Sequence, residues 1–286
     1  MMSLSCVRFP RVFQPGWWVF QCWMYRSRSI PMNDETRISP YDYNFDPAGT
    51  STAARLSRLV GVGRRVLELG CGYGVITRQL VAEQDCKVTG VERDVQSAES
   101  AKRWLDDLII ADLDEPSWLA RAAAKFEVVV AADVIEHLRN PEALLRRLHG
   151  VLDRDGFLVL SVPNVGHAGV IAGLLCGRFD YTPTGILDET HLRFFTWNSL
   201  EAILNVAGFE VIHRETVDAP GSHEQFIESW IKLPAIIRTM LGSHPTANVF
   251  QYVLKARPSE LPKKFFCNDG MLLSTWHDQA TTLGAK

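Results

Sequence analysis

The chain has 286 residues, 47% of them apolar and 22% charged, with a formal net charge of −3. That composition marks a globular protein of one large or two small domains with a sizeable core, and the charge gives no electrostatic reason to expect nucleic acid as partner. Six scattered cysteines without CxxC spacing argue against a disulfide framework and fit free thiols in a reducing, cytoplasmic setting.

Residues 1–31 differ from the rest. Arg8, Arg11, Arg26 and Arg28 precede any acidic residue, and Trp17 to Tyr25 is dense in aromatics but follows Pro15 and Gly16. A spanning helix needs roughly 20 apolar residues and a signal peptide an aliphatic core, so no stable membrane insertion is expected. The favoured reading is that Met32 is the working initiator and 1–31 is not translated. The alternative is a basic, aromatic membrane-surface anchor. With a polar stretch ending in Tyr41-Asp-Tyr-Asn-Phe45, residues 1–45 form an N-terminal extension in which Tyr41 and Tyr43 are candidate substrate contacts.

A helical pattern from Thr52 to Val60 ends at Gly61 and places Leu56, Leu59 and Val60 on one face. Then Val66-Leu-Glu-Leu-Gly-Cys-Gly-Tyr-Gly74 reads as a buried strand breaking into a glycine turn, with a helix following from Val75. Further strands are predicted at 87–91, 108–111, 126–131 and 156–162, with helices near 96–105, 116–124 and 141–152. This alternation specifies βαβ units and a parallel sheet. Phe209 to Val217 and Val249 to Lys255 read as two late strands. The amphipathic insertion 222–245 lies between them, and its apolar positions at 226–241 are expected to pack on the domain or on a second subunit as a homodimer. The other reading of that face is a membrane surface. Residues 258–286 read as a C-terminal tail, which leaves 46–257 as the main domain.

At the end of the second strand, Glu92 can accept both hydroxyls of a ribose, and Arg93 follows it. The turn reads Gly-x-Gly-x-Gly and lacks the GxGxxG spacing by which a helix N-terminus grips a pyrophosphate, which disfavours a dinucleotide. S-adenosylmethionine has no phosphate to grip. Its amino acid end suits the neighbourhood of Glu68, Gly70, Gly72 and Gly74, while Asp112 with Leu113 ends the third strand where an adenine amino group could be met. The fourth strand ends in Asp133-Val-Ile-Glu-His-Leu138.

These motifs, in this order, resemble those of class I S-adenosylmethionine-dependent methyltransferases over roughly residues 50–257. The resemblance implies an α/β, Rossmann-like doubly wound seven-stranded sheet of order 3-2-1-4-5-7-6 with strand 7 antiparallel, and S-adenosyl-L-methionine as cofactor. Asp188-Glu-Thr-His-Leu-Arg-Phe-Phe-Thr196 is similar to bacterial polysaccharide and secondary-metabolite methyltransferases and, more distantly, to ubiquinone-type O-methyltransferases. It implies a small-molecule or glycan hydroxyl as acceptor, with N- or C-methylation as the alternative and a non-catalytic scaffold as the reading outside enzymes.

His191 is the candidate base, since a neutral imidazole suits removal of a hydroxyl proton. Arg193 beside it is the candidate holder of an anionic group on the acceptor, and His137 a substrate contact that otherwise caps or packs. Asp133 is counted with the cofactor contacts. No metal is assigned; the alternative implied by some related O-methyltransferases is a divalent ion on Asp133, Glu136 and His137 with His167 or His191.

Overall fold

The computed structural model describes residues 43–122 and 125–259, so Tyr41, the 1–31 reading and the tail beyond Ser259 lie outside the described residues. Seven strands form one sheet: β1 (Arg65–Leu69), β2 (Lys87–Glu92), β3 (Asp107–Ile110), β4 (Phe126–Ala132), β5 (Leu152–Pro163), β6 (Phe209–Asp218) and β7 (Val249–Pro258). Their order is β3-β2-β1-β4-β5-β7-β6, with β7 antiparallel to both neighbours, as the motifs imply. The first five strands are parallel. Their carboxyl ends therefore share one edge of the sheet, and a ligand crevice forms there.

Period-2 alternation sends successive residues of β4 to opposite faces. Val128 and Val130 pack with Leu56 and Val60 of α1 (Thr52–Val60) and Ile76 and Leu80 of α2 (Val75–Gln84). Val129 and Ala131 face the other layer, where α4 (Pro141–Leu148) supplies Leu144, Leu145 and Leu148, and α6 (Trp197–Val206) supplies Leu200 and Leu204. The helix α3 (Val95–Ala101) starts at Asp94, whose carboxylate accepts from Ser97 N. Burial of both faces explains why β1 and β4 read as near-continuous apolar runs.

Several boundaries differ from expectation. The helix expected over 116–124 is a short 3-10 turn, Pro116–Ala120, and α4 stops at Leu148, because β5 already begins at Leu152, paired with Phe126. β7 runs through Pro258, and Ser259 N donates to Gly208 O, so the strand extends past the expected edge of the tail. Two helices carry no sequence expectation: α5 (Ala168–Leu175) and α6, the latter opened by a Thr196/Ser199 capping box. The insertion is two short helices, α7 (Ile227–Lys232) and α8 (Ala235–Gly242), separated where Pro234 cannot continue a helix. Phe226 at its start is buried with Val170, Ile186 and Leu187, so part of the expected apolar face is used on the domain itself. Among the described residues no helix is long and apolar enough to cross a membrane.

Candidate active site

The turn after β1 is folded back on β2: Gly70 N and Cys71 N both donate to Val91 O. Gly70, Gly72 and Gly74 all take left-handed φ, +62°, +51° and +77°. At Gly72 a Cβ would stand in open space, whereas at Gly74 it would come 3.1 Å from Ala101 Cα. The first glycine keeps a cavity wall low, and the second lets α2 approach α3.

Glu92 closes the turn from the side, its Oε2 accepting from Gly72 N at 2.9 Å and its Oε1 from Arg93 N and Asp94 N. Glu68 is buried beneath the glycines and accepts from Thr77 Oγ1 at 2.5 Å; burial pushes its carboxyl up to about 7, opposed by the Thr77 bond. Cys71 is buried, and burial followed by the charges of Glu68 and Glu92 pushes its thiol up, which suits a small packing residue and not a reactive thiolate.

Two cavities open along this sheet edge. One, of about 450 Å³, is lined by Glu68, Gly70, Gly72, Tyr43, Asp133, His137 and His191 among others. The second, of about 430 Å³, is lined by Glu92, Arg93, Asp112, Leu113 and Thr190. Gly70, Asp133 and His137 belong to the walls of both, so the two meet at the end of β4.

Asp133 itself holds φ at +53°, a left-handed backbone rare for a residue with a side chain. Its Oδ1 accepts from Ser161 Oγ at 2.7 Å and from the Gln251 side-chain amide, which in turn meets Thr52 of α1. Burial raises the Asp133 carboxyl, against those two hydrogen bonds. The loop after β5 crosses over this strand end, with Leu192 N and Arg193 N both donating to Glu136 O. It brings His191, which is 8% exposed, to a ring-centroid distance of 4.8 Å from His137. The Nδ1 of His191 lies 3.1 Å from Ile186 O, and that of His137 lies 3.3 Å from Thr190 O. A carbonyl only accepts, so in each neutral ring Nδ1 carries the proton and Nε2 the lone pair. Burial, then the charge of His191, holds the His137 imidazole below its usual range.

Three residues singled out from the sequence line neither cavity. Arg193 does not face either cavity; its Nη2 donates to Arg139 O at 2.5 Å, and it lines a separate open depression with Arg139 and Arg146. His167 takes no part in an ion site, because its Nδ1 accepts from Gly169 N and its Nε2 donates to Ala219 O. Gly74 lines neither cavity and serves helix packing instead. Among the described residues, Glu136, His137 and His191 are the set that could hold a metal, each offering a ligand atom within 4.8 Å of the others. Both carboxyl oxygens of Glu136 are buried without a hydrogen-bond partner. Sequence reading missed Ser161, Gln251 and Thr190, since only the register that sets Pro163 opposite Gln251 brings the last strand to the site.

This sheet, with a glycine turn after β1 and acids closing β2 and β3, is that of a nucleoside-binding α/β enzyme. The chain belongs to the class I S-adenosylmethionine-dependent methyltransferases: residues 46–214 match the family described as a methyltransferase domain. The methyl donor of this family is S-adenosylmethionine, and the residues present fit it: an open turn at Gly72, a buried acid at Glu68 and a carboxylate at Glu92. The chain is 27% identical over 156 residues to the ubiquinone biosynthesis O-methyltransferase of Neisseria meningitidis serogroup C, covering 52% of this chain and 65% of that one. It is 29% identical over 161 residues to the mitochondrial ubiquinone biosynthesis O-methyltransferase of Rattus norvegicus, covering 52% of this chain and 45% of that one. It thus spans less than two thirds of either relative. Among solved structures, a SAM-dependent methyltransferase from Archaeoglobus fulgidus shares the fold at TM-score 0.50 and 19% identity, covering 71% of this chain and 91% of that one. A candidate methyltransferase from Bacillus halodurans C-125 does so at TM-score 0.51 and 15% identity, covering 72% and 98%.

Proposed function

We propose that this chain transfers a methyl group from S-adenosylmethionine to a hydroxyl of a small-molecule or glycan acceptor in the cytoplasm. The observation that carries the reading is the junction of the two cavities, where Nδ1 of His137 and of His191 each faces a backbone carbonyl and Nε2 of each neutral ring is left as the acceptor. The nucleoside half of the donor is assigned to the cavity of Glu92, Arg93, Asp112 and Leu113, and its amino acid half to Glu68, Gly70 and Gly72. The acceptor is assigned to the side of Tyr43, Asp133 and His191. Relatives named as O-methyltransferases support a hydroxyl over a nitrogen or carbon acceptor.

Methyl transfer from a sulfonium is an in-line displacement in which the donor's positive charge is lost as the new bond forms, so alignment and exclusion of water do most of the catalytic work. A hydroxyl acceptor also loses its proton, and His191 is the group assigned to take it. The test is incubation with S-adenosylmethionine and a panel of phenols and glycosides, read as a +14 Da product alongside S-adenosylhomocysteine. His191→Asn is expected to lower kcat by roughly 100- to 10,000-fold with little change in donor affinity. Donor binding in calorimetry without turnover on any hydroxyl would instead favour N- or C-methylation or a scaffold.

A second reading is favoured by the orphaned carboxyl of Glu136 beside two imidazoles. In it Glu136, His137 and His191 hold a divalent ion that lowers the acceptor hydroxyl's pKa. Loss of turnover on chelation, restored by one added metal, supports this reading, and indifference to chelator removes it.

The domain carrying this function is taken as 46–257. A homodimer through 226–241 belongs to the proposal as well, because Ile231, Ile236 and Met240 stand more than 60% exposed there. Light scattering that returns a monomer mass would remove the dimer.

A further inference from the structure

Thr190 stands between a carboxylate and an imidazole, and its hydroxyl proton is already committed. Thr190 Oγ1 donates to Asp188 Oδ1 at 2.6 Å, and Thr190 N donates to the same oxygen at 2.8 Å. Having given its proton away, the hydroxyl can only accept from His137 Nδ1, 3.1 Å distant. Thr190 O faces the same nitrogen at 3.3 Å. The imidazole thus meets two acceptors from one residue, and that residue is held in place by one buried acid. Although burial works to raise the Asp188 carboxyl, the Thr190 bonds and the His191 and His137 rings outweigh it and keep Asp188 ionised.

We propose that Asp188 and Thr190 are positioning residues that lock His137 in the tautomer with Nδ1 protonated and Nε2 bare, at the seam between the donor and acceptor cavities. The arrangement follows the general logic of an imidazole oriented by a third group, here through an intervening hydroxyl. It deepens the proposed function, because the locked Nε2 serves His137 as acceptor contact, as base or as ligand, yet it is a property of the free protein and is read without turnover. Asp188 is 5% exposed whereas Thr190 lies in the exposed class, so Thr190 offers the variants that leave the core intact.

The experiment is long-range proton–nitrogen NMR of the uniformly 15N-labelled full chain at pH 8, with the His137 signals identified by their loss in His137→Asn. The wild type is expected to give a single Nδ1–H pattern for His137. Asp188→Ala and Thr190→Val, the latter leaving His137 Nδ1 only the longer contact with the backbone carbonyl at 190, should add an Nε2–H population to the Nδ1–H form, while Thr190→Ser restores the wild-type pattern. With an acceptor in hand, Thr190→Val should lower kcat on the order of 10- to 100-fold, with Thr190→Ser recovering it. A wild-type His137 that already mixes tautomers, or a Thr190→Val that keeps one, overturns the relay. A locked His137 in a chain that turns over no hydroxyl leaves the relay standing and removes the O-methylation reading.

Discussion

Glu68 shows how one side chain ties stability to the site. It is buried at the end of β1 with its carboxyl raised from 4.5 to about 7, chiefly by burial. A raised carboxyl means that the folded chain holds a proton the unfolded chain has released. Between about pH 4.5 and pH 7 stability therefore falls as pH rises, and the full cost is present above pH 7. The shift corresponds to about 3 kcal/mol. Glu68→Gln is expected to remove that slope, so chemical denaturation at pH 5 and pH 8 should show the wild type losing stability relative to the variant by an amount of that order. Equal slopes would mean that Glu68 is ionised throughout. The place of Glu68 at the end of the strand before the glycine turn was legible in the sequence, but its raised carboxyl was not, since that depends on complete enclosure, against which the Thr77 hydrogen bond works.

At the level of elements, the turn between β1 and α2 separates two uses of glycine that look identical in sequence. Gly72 and Gly74 both carry left-handed φ, but only at Gly74 does a Cβ meet backbone, at Ala101. Gly74→Ala is expected to cost stability by about 1–2 kcal/mol from the φ alone, with further loss as α2 and α3 separate. Gly72→Ala pays the same strain but adds a methyl group beside the cavity, so its distinctive effect should be weaker S-adenosylmethionine binding in calorimetry. If Gly74→Ala weakened the donor more than Gly72→Ala, the packing role assigned to Gly74 would be wrong. The glycine motif alone made all three positions cofactor contacts, because spacing reports that a turn exists and not which carbon faces the ligand. Arg193 shows the same limit: it stands two residues after His191 in the motif, but residues of an irregular loop project to different sides, and its guanidinium lies on Arg139 O.

Across the whole molecule, the parallel βαβ units were legible from local signals, apolar runs broken by turns and helices, whereas strand order and the antiparallel direction of β7 were legible only through the family resemblance that the glycine turn and the strand-end acids carry. The acceptor side was not legible. The cavity proposed for it is gathered from Tyr43, Gln251 and the loop bearing Thr184 and His191, whose meeting depends on long-range register and on the return of β7 between β5 and β6. The helices α5 and α6 escaped notice for a related reason. One is apolar nearly all round and the other fully buries only Leu200 and Leu204, so neither shows the broad amphipathic stripe that marks a helix from sequence.

The bond between Gln251 and Asp133 spans 118 positions of chain. On a ribosome the stretch from Arg65 to Leu138, which builds the cavity proposed for the donor's nucleoside apart from Thr190 and Leu192, has emerged long before Gln251 is joined to the chain. Until then the Asp133 carboxylate lacks one of its two side-chain donors. On the proposed assignment the donor half is nearly continuous in the gene and the acceptor half dispersed, so an exchange of the later segments is expected to change what is methylated while leaving most of the donor walls as they were.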